Sequence, residues 1–106
     1  MTVNELIKII GNIIVCVDVI RSGLDRNTPE RVRLDNDRDD LDTYQRKIVR
    51  SVIDDNTAEF RKYTTSLKEA DAELAKTIND IKKLAETLAA LNRFVTAAGK
   101  IAALAG

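Results

Sequence analysis

The amino-acid sequence predicts an all-α fold, either an elongated helical hairpin or a three-helix bundle with a long C-terminal helix and coiled-coil-like packing. Apolar residues recur every three or four positions along most of the 106-residue chain, which is the period of a helix and not of a strand. Helix-breaking residues are rare, since Pro29 is the only proline and there are four glycines. The length indicates one domain over residues 1–106.

The first helix is predicted over about residues 2–22. Thr2 and Glu5 have the spacing of a capping box at its start, and Gly23 follows its end as a C-terminal cap. Apolar side chains cover most of its circumference, so we expect it to be buried on two sides. Its polar residues form a narrow stripe of Asn4, Lys8, Gly11 and Asp18.

The same segment is apolar enough to raise the question of a membrane. Its apolar run is about fifteen residues long and includes Lys8 and Asp18, whereas a spanning helix needs about twenty apolar residues. Glu5 precedes Lys8 and no small-residue cleavage site follows, so a signal peptide is not indicated. We therefore predict a cytoplasmic protein and keep a helix that lies on or inserts into a membrane as the alternative.

Thr28 and Pro29 predict the start of a second helix that runs to about residue 54, with Thr28 as the N-cap and Pro29 at the first helical position. All six residues between Leu34 and Leu41 are polar, so the start could instead lie near Asp37. Residues 54–57 are either a helix boundary or a polar patch inside one continuous helix, and the sequence does not decide between the two.

The third helix is predicted to run without interruption over about residues 57–104. No Gly or Pro occurs between Lys62 and Glu86, and strong helix formers dominate this stretch. At 1.5 Å per residue the helix would be roughly 60–70 Å long, so it needs a partner helix from this chain or from another. Its solvent face is predicted to carry Lys62, Glu69, Lys76, Lys83, Ala90 and Ala97.

The sequence holds no pattern of residues that indicates catalysis or ligand binding. There is no histidine, and Cys16 is the only cysteine, so we expect it to be a small buried hydrophobe. The segment from Asp35 to Asp39 resembles the start of an EF-hand loop, but Asp40 and Arg46 stand where the loop requires Gly and Glu. We predict no catalytic, cofactor or metal site and no enzyme activity. Nucleic-acid binding is not indicated either, because the formal net charge is zero.

Apolar surface that one short chain cannot cover is the main functional signal. The first helix is apolar on nearly all sides and so is the C-terminal third, which predicts a non-enzymatic interaction or structural protein that forms a homo-oligomer or binds another helical protein. The residues predicted at the interface are Leu6, Ile10, Ile13, Val17, Leu74, Ile81, Leu88 and Val95.

Two other functions are compatible with the same apolar faces. One is a membrane-active protein, pore-forming or holin-like, that would store its apolar helices in a water-soluble form and release them on lipid. The other is a partner-binding antitoxin or immunity protein. In general appearance the chain resembles small helical proteins of bacteria and their phages, without a motif that points to one family.

Overall fold

The computed structural model describes residues 1–105 and confirms the all-α prediction. Four α-helices form a bundle with extents of 41 × 23 × 17 Å. They are α1 (Val3–Ser22), α2 (Pro29–Arg50), α3 (Ala58–Thr77) and α4 (Leu84–Ala103), with a 3-10 turn at Ile81–Lys83 between α3 and α4.

Threonine side chains begin the first three helices. The Oγ1 atoms of Thr2, Thr28 and Thr57 each accept a hydrogen bond from the backbone N–H three residues later, at 3.2 to 3.3 Å. The predicted starts of the first two helices are therefore confirmed. The alternative start near Asp37 is wrong, because α2 is helical from Pro29 and Leu34 is fully buried.

The open question at residues 54–57 is answered by a break. The helix α2 ends at Arg50, four residues earlier than predicted, and the chain is not helical again until Ala58. The side chain of Asp54 accepts a hydrogen bond from the backbone N–H of Asn56, and Thr57 then caps α3. These local hydrogen bonds compete with continuation of the helix.

The predicted uninterrupted helix over residues 57–104 is wrong. It is divided into α3 and α4, which run antiparallel and form the most extensive helix pair of the bundle. Asp80 holds the turn between them, since its Oδ1 atom accepts a hydrogen bond from the N–H of Lys82 at 3.0 Å. Folding back lets the two helices cover each other's apolar face, which a straight rod in a chain of this size would leave in water.

The helix α4 is the centre of the bundle. It packs on α3 and on α2, and α2 packs on α1. Ala90 and Ala97, predicted on the solvent face, are only 1% and 4% exposed because α4 is covered on two sides. Their small side chains allow the neighbouring helices to come close.

Two glycines mark the close approach of α2 to its neighbours. A Cβ atom at Gly11 in α1 would lie 3.1 Å from the side-chain nitrogen of Gln45, and one at Gly99 in α4 would lie equally close to the ring of Tyr44. Gln45 also donates a hydrogen bond to the carbonyl oxygen of Ile7 at 3.1 Å. Two consecutive residues of α2, Tyr44 and Gln45, therefore pack against glycines of α4 and α1, where the neighbouring helix has no side chain.

Candidate interaction surface

Seven of the eight residues predicted at the interface lie in the core of the single chain. Each is less than a tenth exposed, because helices of the same chain cover it. Ile81 is the exception and is 68% exposed in the 3-10 turn. Contact of these residues with a second copy stays a prediction, but the apolar surface of the seven is already covered. They are Leu6, Ile10, Ile13, Val17, Leu74, Leu88 and Val95.

A smaller apolar surface remains in solvent beside Ile81. Val15 and Val19 in α1 are 62% and 67% exposed. A groove of about 280 Å³ lies between Val19 and Ile81. We call this region the apolar end surface and define it by the residues Val15, Val19, Ile20, Ile78, Ile81 and Leu84.

The orientation of α1 explains why two valines are exposed. Leu6, Ile10, Ile13, Ile14 and Val17 are turned into the core, whereas Val15 and Val19 are one turn apart on the opposite side.

The predicted polar stripe of α1 faces solvent only in part, since Asn4 and Lys8 are exposed but the other two residues are not. Gly11 packs against Gln45, and Asp18 accepts a hydrogen bond from Arg38, so both residues face α2 and not open solvent. The sequence alone does not single out Val15 and Val19, because apolar residues cover most of the circumference of α1 and the spacing does not show which side the other helices cover.

The apolar end surface is poor in charge. Asp18 is the only charged residue of α1 between Lys8 and Arg21, and its Oδ1 atom accepts hydrogen bonds from Arg21 at 2.8 Å and from Arg38 at 3.2 Å. Asp80 and Lys82 stand in and next to the turn that borders the groove. An apolar centre without charges and a polar rim are typical of protein–protein interfaces.

Two of the five aspartates between positions 35 and 42 are held in ion pairs with arginines of α1 and α2. The Oδ1 atom of Asp35 accepts hydrogen bonds from Arg21 at 2.9 Å and from Arg31 at 3.0 Å, and these bonds lower the pKa of the Asp35 carboxyl. Asp42 pairs with Arg46 at 2.7 Å. Within residues 1–105, no three His, Cys, Asp or Glu side chains are grouped so that they could hold a metal ion.

Cys16 is less covered than the sequence predicts. It is half-buried in α1, between the exposed Val15 and the buried Val17. Its position on the flank of the helix, and not in the core stripe, is the reason.

A second, more polar groove runs between α3 and α4. Its volume is about 720 Å³, and its side chains include Lys62, Glu69, Glu73 and Lys100. The Lys100 ammonium lies 5.7 Å from the centroid of the Tyr63 ring, a cation–π distance. The groove shares none of its lining residues with the groove of the apolar end surface.

Comparison with known proteins adds no relative to this picture. No family model, no curated protein and no solved structure matches the chain. None of the helices within residues 1–105 has both the length and the apolar character that crossing a membrane requires.

Proposed function

We propose that this chain is a non-enzymatic helical interaction protein that self-associates, with the apolar end surface as the contact between copies. The observation that carries the proposal is the exposure of Val19 and Ile81 on two sides of one groove. Grouped apolar side chains in solvent are a frequent feature of interaction sites.

The shape of the surface favours a second copy as the occupant. A two-fold axis brings the same surface of two copies together. Val15 and Val19 form a ridge on α1, and Ile78, Ile81 and Leu84 lie beside it at the groove. Each copy therefore offers both a ridge and a groove, and burial of each ridge in the other copy's groove removes apolar surface from water at about 25 cal/mol per Å².

The residues outside this surface support a function without catalysis. The chain has no histidine and a single cysteine, and three of its aspartates (Asp18, Asp35 and Asp42) are held in ion pairs with arginines. The membrane-active alternative would insert the first helix and the C-terminal segment, but their apolar residues form the core of the bundle. Self-association needs no such rearrangement.

The test is a comparison of molar mass for the wild type and for the double variant Val19→Asp/Ile81→Asp. We expect the wild type to associate with rising concentration to at least twice 11.8 kDa in sedimentation equilibrium. The double variant should lose the association that depends on this surface, because two charges would be buried without partners. Circular dichroism should show equal helix content in both proteins, since both residues are exposed.

Val49→Asp is the matched control, because Val49 is a valine of similar exposure on α2. It should associate like the wild type. A wild type that stays at 11.8 kDa at every concentration would show the proposal to be wrong. Equal loss of association in the control and in the double variant would assign the effect to charge alone and not to the apolar end surface.

A further inference from the structure

The outer side of α3 carries a stripe of exposed polar residues beside the polar groove. Their spacing alternates between three and four positions, so they lie along one line of the helix. Four of them also line the groove between α3 and α4. In order along the chain the stripe consists of Glu59, Lys62, Ser66, Glu69, Glu73 and Lys76.

The charges of this stripe are placed so that two copies of α3, lying antiparallel, bring acidic residues opposite basic residues. Consider two antiparallel copies of α3 related by a two-fold axis that passes midway between Ser66 and Glu69. In this register Glu59 faces Lys76 of the other copy. In the same register Lys62 faces Glu73, and Ser66 faces Glu69. Each opposite-charge pair occurs twice because of the two-fold symmetry, and no like charges face each other directly.

Within one chain the acidic half of the stripe is poorly compensated. Glu69 and Glu73 are like charges four residues apart on one helix, a spacing at which they repel. Among residues 1–105, the one ion pair of this stripe joins Glu73 to Arg93 at 3.8 Å, and both side chains are more than half exposed. Lys62 of a second copy would bring a positive charge to this carboxylate.

The groove supplies room and a further positive charge on the same side. Lys100 of α4 lines it next to Tyr63, at the end where Lys62 also lies. In the antiparallel arrangement Glu73 of the second copy arrives at this end. The α4 wall of the groove otherwise consists of the small side chains Asn92, Thr96 and Ala97, with Arg93 at the opposite end.

We propose that the polar groove is a second contact between copies, in which α3 of each copy lies antiparallel to α3 of the other. The contact extends the self-association proposed above, but it stands on a different surface. Because exposed ion pairs contribute little individually and are screened by salt, this contact is weak and becomes weaker as ionic strength rises.

Charge reversal tests the contact and its register. Lys62→Glu and Glu73→Lys should each weaken association at low ionic strength by about tenfold, since each turns two attractions into two repulsions. The double variant Lys62→Glu/Glu73→Lys should regain most of the loss, because the reversed charges again face their opposites. Lys68→Glu, on α3 but outside the stripe, is the matched control and should leave association unchanged.

Disulfide trapping gives a second readout of the geometry, with Cys16 replaced by Ala. A mixture of Glu59→Cys and Lys76→Cys chains should form the mixed disulfide dimer under mild oxidation, because these positions face each other. Either variant alone should form little dimer. Failure of the double reversal to regain association, together with equal trapping in all mixtures, would overturn the proposal.

The two contacts can be separated in one set of measurements. In the Val19→Asp/Ile81→Asp background the remaining association should disappear on adding Lys62→Glu. If Lys62→Glu has no effect in either background, the polar contact is wrong and the apolar one stands. If Lys62→Glu alone abolishes association and Val19→Asp/Ile81→Asp has no effect, the apolar contact is wrong and the polar one stands.

Discussion

The ring of Tyr44 in α2 lies against Gly99 in α4, so closely that a Cβ atom at position 99 would be 3.1 Å from the Cζ atom of the ring. The next residue of α2, Gln45, lies against Gly11 of α1 in the same way. The distance of α2 from both neighbours is thus set by positions without side chains. Larger residues there must separate the helices or displace the α2 side chains.

Gly99→Val should destabilise the fold by about 1–3 kcal/mol, because the added atoms overlap the Tyr44 ring. Ala89→Val is the matched control on an exposed position of α4 and should cost much less. Urea unfolding measures both. In combination with Tyr44→Ala, Gly99→Val should cost less than in the wild type, since the two residues are in contact. Equal stability of Gly99→Val and Ala89→Val would show that the ring moves aside freely.

The hydroxyl of Thr87 donates a hydrogen bond to the Oγ1 atom of Thr77 at 2.9 Å, and both residues are buried where α3 meets α4. Thr87→Val should cost about 1–3 kcal/mol, because it leaves a buried hydroxyl without its partner. The double variant Thr77→Val/Thr87→Val should have a free energy of unfolding closer to that of the wild type than Thr87→Val has, because it leaves no hydroxyl without a partner. A double-mutant cycle measured by chemical unfolding gives the coupling energy between Thr77 and Thr87. Strictly additive losses of stability would show that the hydrogen bond does not couple the two residues.

Asp37 is predicted to reduce stability at neutral pH. Partial burial raises the pKa of its carboxyl, so the folded state binds the proton more tightly than the unfolded state does. Stability from this group is therefore lost as pH rises through the folded pKa. Asp37→Asn should raise the melting temperature at pH 7, and the gain should fade as pH falls below the unfolded pKa of about 3.9, since Asp37 then becomes protonated in both states. Asp39→Asn, at an exposed position nearby, is the control and should show no such gain.

Asp35 should behave in the opposite way. Hydrogen bonds from Arg21, the larger effect, and from Arg31 lower the pKa of its carboxyl in the folded state. Its contribution to stability is present above the unfolded pKa of about 3.9 and is lost as pH falls through the lower folded value. Asp35→Asn should therefore lower the melting temperature at pH 7, and this difference from the wild type should close at strongly acidic pH. A difference that stays constant with pH would assign the effect to packing.

The helical character of the chain could be predicted because the spacing of its apolar residues is a local property, and so are the starts of two helices. Thr2 and Thr28 begin helices by bonding a backbone N–H three residues away, which requires no knowledge of the rest of the fold. The break between α3 and α4 has only a weak local signal, the hydrogen bond that Asp80 accepts from the N–H of Lys82. No Gly or Pro stands there, and Ile78, Ile81 and Leu84 keep the helical spacing across the turn.

The candidate surface was harder to predict for a different reason. Val15 and Val17 are the same residue type two positions apart, yet one is 62% and the other 1% exposed. Only the position of the neighbouring helices decides between them, and that position depends on contacts far apart in the chain. Of the predicted interface residues, Ile81 alone lies in the surface that remains open.

The order of helix contacts has a consequence for how the chain reaches its fold. The pairs α1–α2 and α3–α4 are each neighbours in sequence, and among the major helix contacts only α2–α4 joins the two halves. Short loops close each pair at little entropic cost, so the chain should fold quickly. We expect the α3–α4 pair, with the largest contact, to be ordered in the transition state. Substitutions within it should then slow folding, whereas substitutions in α1 should mainly accelerate unfolding.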